Sequence, residues 1–207
     1  PWGRLITSIW LSQTLFAANK VTMGIKMTHN LIYDFLESYD LGVVEIKLRD
    51  ILQLKEKIST DPHIQTLFPP IEIGSITLVD QIVILSLLKI LQPSVILEVG
   101  TFLGYTTSLL ALNASSAKIF SIDLPADNYY QQLILDKTQV LVDGEINDDF
   151  LRQKQALEGE KYLQYLDASK RAQIKLIKSD STELNFKEEF GNIDFAFIDG
   201  GHTEHII

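Results

Sequence analysis

The 207-residue sequence contains no cysteine, and its acidic residues outnumber its basic ones. Without cysteine the chain forms no disulfide, thiolate nucleophile or cysteine-ligated zinc site, and this composition is in keeping with a cytoplasmic location. With 18 Lys and Arg against 27 Asp and Glu, the net charge is −9. Nucleic-acid binding draws on clustered Lys and Arg, so we expect no nucleic-acid partner.

A long uninterrupted apolar run is also missing. Residues 5–18 come nearest, but Ser, Thr and Gln interrupt them, and the stretch is too short and too polar to predict a membrane span. We therefore expect no membrane partner. Residues 1–26 are an N-terminal extension that also suits a signal-like segment or a helix packed on the domain. We favour sequence upstream of the natural start, because Met27 begins an ordinary polar and apolar pattern.

What the sequence does contain is a glycine loop directly after an apolar strand. Residues 95–107 read VILEVGTFLGYTT, in which Glu98 ends the strand and hydroxyl residues open a helix after the loop. This arrangement holds nucleotide-like ligands at the carboxyl edge of a parallel sheet. Gly100 can adopt backbone angles closed to other residues and lets a ligand approach the main chain. Gly104 lets the following helix pack close to the strand.

Three further apolar strands lead into polar residues. The strands are predicted over residues 118–122, 174–177 and 193–198, and they lead into Asp123, Asp180-Ser181 and Asp199. Asp123 follows the glycine loop by about 20 residues, a spacing typical of an acid that accepts hydrogen bonds from ribose hydroxyls. Each acid alone also fits an ordinary strand-end or cap residue, whereas the ordered set favours one ligand site.

Taken in this order, the residues resemble the class I S-adenosylmethionine-dependent methyltransferases. The runs Gly-Thr-Phe-Leu-Gly-Tyr-Thr and Phe-Ile-Asp-Gly-Gly-His are similar to the small-molecule O-methyltransferase branch, which includes the catechol, caffeoyl-CoA and cephalosporin-biosynthesis types. The resemblance spans residues 76–207. It implies an α/β fold, a Rossmann-like doubly wound parallel sheet, preceded by N-terminal helices in residues 27–75.

The same resemblance implies seven strands in the order 3-2-1-4-5-7-6. The sequence supplies strands for 3-2-1-4 only, so we expect a truncated sheet and a fragment of a longer protein. Strand 4 would then be a bare edge with unpaired amides.

The resemblance also implies an S-adenosylmethionine site. Its cofactor-binding residues would be Glu98, Gly100, Thr101, Phe102, Gly104, Tyr105, Thr106, Thr107, Asp123, Asp180, Ser181 and Asp199. By this resemblance Glu98 supports the loop and the methionine ammonium, and Thr106 or Thr107 holds the carboxylate. Asp123 takes the ribose hydroxyls. Asp180 accepts the adenine amino group beside the Ser181 amide.

Asp199-x-x-His202 carries the catalytic expectation. In the metal-dependent branch of the resembled family, the aspartate after strand 4 binds a magnesium-like ion, and a basic residue three positions on deprotonates the acceptor hydroxyl. The resemblance thus implies Asp199 as a Mg²⁺ ligand and His202 as the base, and a neutral imidazole suits that role near pH 7. The family's two other acidic ligands fall beyond the sequence, so metal use stays open. His202 also fits a loop histidine that caps a turn.

Helices account for most of the remaining sequence. Helical periodicity predicts helices over residues 28–39 and 44–58, and Thr77-x-x-Asp80 resembles a capping box that opens a buried helix over residues 76–91. Residues 124–173 are several times longer than a crossover needs, with a charged helical stretch from about 148 to 172. They form either a lid or substrate wall, with Tyr129, Tyr130 and Arg152 as candidate substrate contacts, or a surface excursion or disordered loop.

Two other functions compete with methyl transfer to a small hydroxylated acceptor. A nicotinamide-dependent oxidoreductase also has a ribose-binding acid, but its Gly-x-Gly-x-x-Gly fingerprint fits poorly because Leu103 occupies the third position after Gly100. A truncated or inactive cofactor-binding module is the other alternative. A homo-oligomer is also compatible with this sequence.

Overall fold

The computed structural model describes residues 47–114, 116–135 and 144–200. Four strands form one sheet: β1 Val95–Val99, β2 Lys118–Asp123, β3 Ile174–Lys178 and β4 Phe195–Ile198. All pairings are parallel and the strand order is β3-β2-β1-β4. The structure therefore confirms the α/β fold, the Rossmann-like sheet and the four predicted strands, although β4 begins two residues later than the predicted start at residue 193. The predicted helix over residues 28–39 lies outside the described residues, as does Met27.

Both faces of the central strands are buried, since successive side chains of a strand point to opposite faces. Ile96, Ile119 and Phe195 belong to one apolar cluster, whereas Leu97 and Phe120 belong to a second. A parallel sheet covered on both sides reads as a nearly continuous apolar run, which is the pattern that identified these strands.

Helices α1 Leu48–Ile58 and α2 Leu78–Leu91 precede the sheet and pack against each other. As predicted, Thr77 caps α2, and its Oγ1 accepts a hydrogen bond from the Asp80 amide at 3.3 Å. The helix ends at Gln92, which adopts a left-handed conformation with φ of 47°. The predicted helix over residues 44–58 begins at Leu48 in the structure.

Helix α3 Tyr105–Asn113 follows the glycine loop, and the long crossover between β2 and β3 follows β2. The crossover contains α4 Asn128–Gln132, α5 Gly144–Glu158, a 3₁₀ helix over Lys161–Tyr165 and α6 Ala168–Arg171. The prediction of one helical stretch from 148 to 172 was wrong, because Gly159 with φ of +59° ends α5 and breaks the run.

The described part of the crossover is not a simple surface excursion. Tyr162, Leu163 and Leu166 enter the same core cluster as Ile96 and Leu109. A 3₁₀ helix over Ser181–Glu183 and α7 Phe186–Phe190 then connect β3 to β4. Among the described helices, none has the length and apolar composition that a membrane crossing requires.

Candidate functional site

The carboxyl ends of β1, β2 and β4 lie side by side. Val99 is in register with Ile122 on one side and with Ile198 on the other. The Gly100 amide donates to the Ile122 carbonyl at 2.8 Å, and the Asp199 amide donates to the Val99 carbonyl at the same distance. The structure thus brings the glycine loop, Asp123 and Asp199 to one edge of the sheet.

The backbone of a neighbouring strand requires glycine at position 100. Its φ is +104°, and a Cβ built on it would lie 2.1 Å from the Asp199 carbonyl oxygen. The end of β4 therefore passes directly over Gly100, so the absent side chain makes room for the neighbouring strand. The sequence interpretation assigned this room to a ligand.

Gly104 has a comparable role on the other side of the loop. Its φ is +76°, and an added Cβ would lie 2.8 Å from Leu163 Cγ. Since Leu163 belongs to the 3₁₀ helix of the crossover, Gly104 admits that segment onto the start of α3. Gly104 was predicted to allow close packing of the helix on the strand. In the structure it also makes room for Leu163, which is distant in the sequence.

Glu98 is the most deeply buried acid of the site, with no exposed surface. Its Oε2 accepts hydrogen bonds from Thr107 Oγ1 and Ser121 Oγ, both at 2.5 Å. Thr101 Oγ1 lies 2.6 Å from the same Ser121 hydroxyl, so the network joins β1, β2, the loop and α3. Glu98 Oε1, by contrast, is buried without a hydrogen-bond partner.

This environment changes the ionisation of Glu98. Burial raises its pKa to about 8, and the negative charges of Asp123 and Asp199 act in the same direction. The two hydroxyl donors oppose the shift without cancelling it. Glu98 is therefore mainly protonated at neutral pH, and a cation brought to its unpartnered oxygen would favour its ionised form.

Asp123 lies at the tip of β2 and already accepts several hydrogen bonds. Its Oδ2 accepts from the Phe102 amide at 2.6 Å and from Gln155 Nε2 at 2.5 Å, and its Oδ1 accepts from the Leu124 amide at 2.8 Å. Arg152 Nη1 lies 3.7 Å from Oδ1. Burial raises the pKa of Asp123, although the Phe102 hydrogen bond and the nearby Lys178 and Arg152 charges oppose that shift.

The glycine loop is fixed in place by its neighbours. Phe102 has a positive φ of 48°, and its amide hydrogen bond to Asp123 stabilises that conformation. Its ring packs against Gly74, where an added Cβ would lie 2.8 Å from Phe102 Cε1. The loop is therefore pre-shaped by β2 on one side and by the segment before α2 on the other.

Three hydroxyl residues that were predicted to contact a cofactor begin α3, and each is buried. Thr107 directs its hydroxyl to Glu98. Tyr105 donates to the Pro69 carbonyl at 3.0 Å and packs edge-on against Tyr162, with ring centroids 4.9 Å apart. Thr106 is 8% exposed. In this structure Thr107 and Tyr105 serve the internal packing of the domain.

Asp180 follows β3 but makes only local side-chain hydrogen bonds. Its Oδ1 accepts from the amide and the hydroxyl of Thr182 at 2.9 and 2.7 Å, and these bonds lower its pKa. The carboxylate thereby caps the 3₁₀ helix that begins at Ser181. Neither of these bonds joins Asp180 to Glu98 or Asp123.

Asp199 is exposed at the end of β4, whereas His202 and His205 lie outside the described residues. No group of three or more His, Cys, Asp and Glu side chains within residues 47–114, 116–135 and 144–200 is arranged to hold a metal ion. The expected Mg²⁺ site at Asp199 and the expected base therefore stay predictions.

Two site residues were missed by the sequence reasoning. Ser121 carried a weak signal, as a hydroxyl within the otherwise apolar strand Lys118–Asp123. Gln155 carried none, because it lies in the long crossover and reaches Asp123 across 32 positions of the sequence. A cavity of about 430 Å³ adjoins this region, and its lining includes Leu124, Tyr130 and Arg152.

No protein-family model and no curated protein matches this chain.

Proposed function

We propose that the protein is an S-adenosylmethionine-dependent methyltransferase that methylates a hydroxyl of a small acceptor. One observation supports this more than any other: a buried Glu98 with an unpartnered oxygen stands behind the glycine loop, one strand away from Asp123. An acid at the first strand tip and a second acid at the next strand tip suit a ligand that carries both an ammonium group and a ribose diol.

The side chains fit this cofactor in two respects. Glu98 offers its free Oε1 to the ammonium group, which would then stabilise the ionised carboxylate. Asp123 offers carboxylate oxygens to the two ribose hydroxyls. Within the glycine loop, the Phe102 backbone amide already donates a hydrogen bond to Asp123. The bound cofactor would supply an electrophilic methyl group.

The chain would contribute orientation and proton transfer. Holding the acceptor oxygen in line with the methyl group replaces an unfavourable bimolecular encounter with a preorganised one. In this proposal His202 would remove the proton of the acceptor hydroxyl, and Asp199 would be one ligand of a magnesium-like ion, which would lower the pKa of that hydroxyl. Both roles follow from the sequence resemblance.

The adenine contact would use the second carboxylate oxygen of Asp180. Thr182 donates both of its bonds to Oδ1, so Oδ2 would accept from the adenine amino group, with the Ser181 amide beside it. Asp180 is half-buried and caps a 3₁₀ helix of three residues, and this contact leaves that cap in place.

Isothermal titration calorimetry with S-adenosylhomocysteine and with NAD tests the proposal. We expect the full chain to bind S-adenosylhomocysteine and not NAD, and we expect Asp123→Asn to weaken binding by about 100-fold, as for loss of charge-assisted hydrogen bonds. Asp127→Asn is the matched control, because Asp127 caps α4 next to the site without reaching Asp123. Binding of NAD alone would instead favour an oxidoreductase.

A further inference from the structure

The carboxylate of Asp123 is occupied by donors from the chain itself. Backbone amides of Phe102 and Leu124 take one site on each oxygen, and Gln155 Nε2 takes a further site on Oδ2. The side chain is only 13% exposed. An ionised carboxylate accepts about four hydrogen bonds, so little capacity remains for a ligand.

Gln155 differs from the other two donors in its origin. Phe102 and Leu124 are fixed parts of the loop and of the strand end, whereas Gln155 reaches in from α5. Its amide orientation is set on both sides: Oε1 accepts from Arg152 Nη1 at 3.1 Å, which leaves the NH₂ group facing Asp123. Gln155 is 5% exposed, so its buried side chain covers the Asp123 carboxylate at the edge of the sheet.

Neighbouring residues of α5 make contacts that do not involve Gln155. Lys154 Nζ pairs with Glu72 Oε1 at 3.2 Å, and Gln153 Nε2 donates to the Leu133 carbonyl at 2.6 Å. These contacts lie on segments before α2 and after α4. The helix therefore has anchors that are independent of Asp123, and loss of the Gln155 contact leaves those anchors in place.

We propose that Gln155 is a latch that a ribose diol displaces from Asp123, and that it thereby competes with the diol for the carboxylate and lowers the affinity for it. The proposal rests on the proposed function in one respect, namely that Asp123 is the acid that receives the ribose. A diol brings two O–H donors to the carboxylate and replaces the single N–H donor of the amide. A nucleoside without the hydroxyls has nothing to exchange for that bond.

Gln155→Leu tests the latch, since leucine keeps a similar volume at a buried position and removes the donor. The affinities of S-adenosylhomocysteine and of its 2′,3′-dideoxy analogue are measured by calorimetry on the full chain. We expect Gln155→Leu to tighten binding of the diol ligand about tenfold and to leave the dideoxy ligand unchanged, as for removal of one competing hydrogen bond. Gln164→Leu, at an exposed position of the 3₁₀ helix, is the control.

The outcomes separate the two proposals. If the unaltered protein fails to bind S-adenosylhomocysteine, the proposed function is overturned. If it binds, but Gln155→Leu gains no affinity or gains it equally for both ligands, the latch alone is overturned. Hydrogen exchange on the unaltered protein gives a second measurement: saturation with S-adenosylhomocysteine is expected to speed amide exchange within residues 150–157, and slower exchange there refutes the latch.

Discussion

Replacement of Gly100 by alanine tests whether the end of β4 is packed directly on the glycine loop. An alanine Cβ at this position would lie 2.1 Å from the Asp199 carbonyl oxygen, whereas real Cβ atoms stay beyond about 3.0 Å from such neighbours. Relief requires either a shift of the loop or displacement of the end of β4. Either movement strains the hydrogen bond between the Asp199 amide and the Val99 carbonyl.

The magnitude follows from two contributions. A side chain at φ of +104° costs about 1–3 kcal/mol of backbone strain. Forcing a methyl group into a packed interior costs about 1–3 kcal/mol more. We therefore expect Gly100→Ala to lower the free energy of unfolding by about 2–6 kcal/mol, a large part of the total stability of an ordinary domain.

Gly159→Ala is the matched control. Gly159 also has a positive φ, +59°, but an added Cβ there meets nothing within 4 Å. Only the backbone contribution applies, so we expect a loss of about 1–2 kcal/mol. Urea unfolding followed by circular dichroism measures both variants. If Gly100→Ala is no less stable than Gly159→Ala, the packing of β4 over Gly100 is refuted.

Three further predictions concern charged groups. Burial raises the pKa of Glu98 from 4.5 to about 8, so its contribution to the free energy of unfolding is fully present below pH 4.5 and is lost as pH rises through 8. Glu98→Gln should remove this loss in urea unfolding measured across that pH range, and an unchanged pH profile would contradict the prediction. Burial alone would raise the pKa of Glu72, but hydrogen bonds from Tyr162 and Lys161 hold that pKa at about 2. The contribution of Glu72 to the free energy of unfolding is therefore present above pH 4.5 and is lost as pH falls through 2. Glu72→Gln should destabilise the protein at pH 7 and less so at pH 2, and equal losses at both pH values would contradict this. Removal of divalent cations with EDTA should abolish methyl transfer while leaving the affinity for S-adenosylhomocysteine unchanged, with Mg²⁺ restoring turnover; full turnover in EDTA would exclude Asp199 as a required metal ligand.

The sheet was predictable from sequence because its signals are local. Four apolar runs with polar residues at their ends define the strands, and the right-handed crossover rule restricts the order of parallel strands. Contacts of the glycine loop were less predictable. Gly100 and Gly104 were recognised as special, but the atoms that demand glycine belong to Asp199 and Leu163, which are distant in the sequence.

Hydrogen-bond partners were the least predictable part of the candidate site. Thr106 or Thr107 was predicted to hold the cofactor carboxylate. In the structure the Thr107 hydroxyl donates to Glu98, which gives a buried carboxyl group a partner. Gln155 could not be identified because a glutamine on a helix gives no periodic signal of its own. Its contact depends on how α5 crosses the sheet edge.

The seating of Leu163 against Gly104 bears on attempts to shorten the protein. An engineer who compares this crossover with a typical one of a dozen residues would treat the surplus as dispensable. Deleting it would remove Tyr162, Leu163 and Leu166 from the interior and leave a void under the first turn of α3. A minimal version of this domain must therefore retain the 3₁₀ segment, even though it belongs to neither the sheet nor its flanking helices.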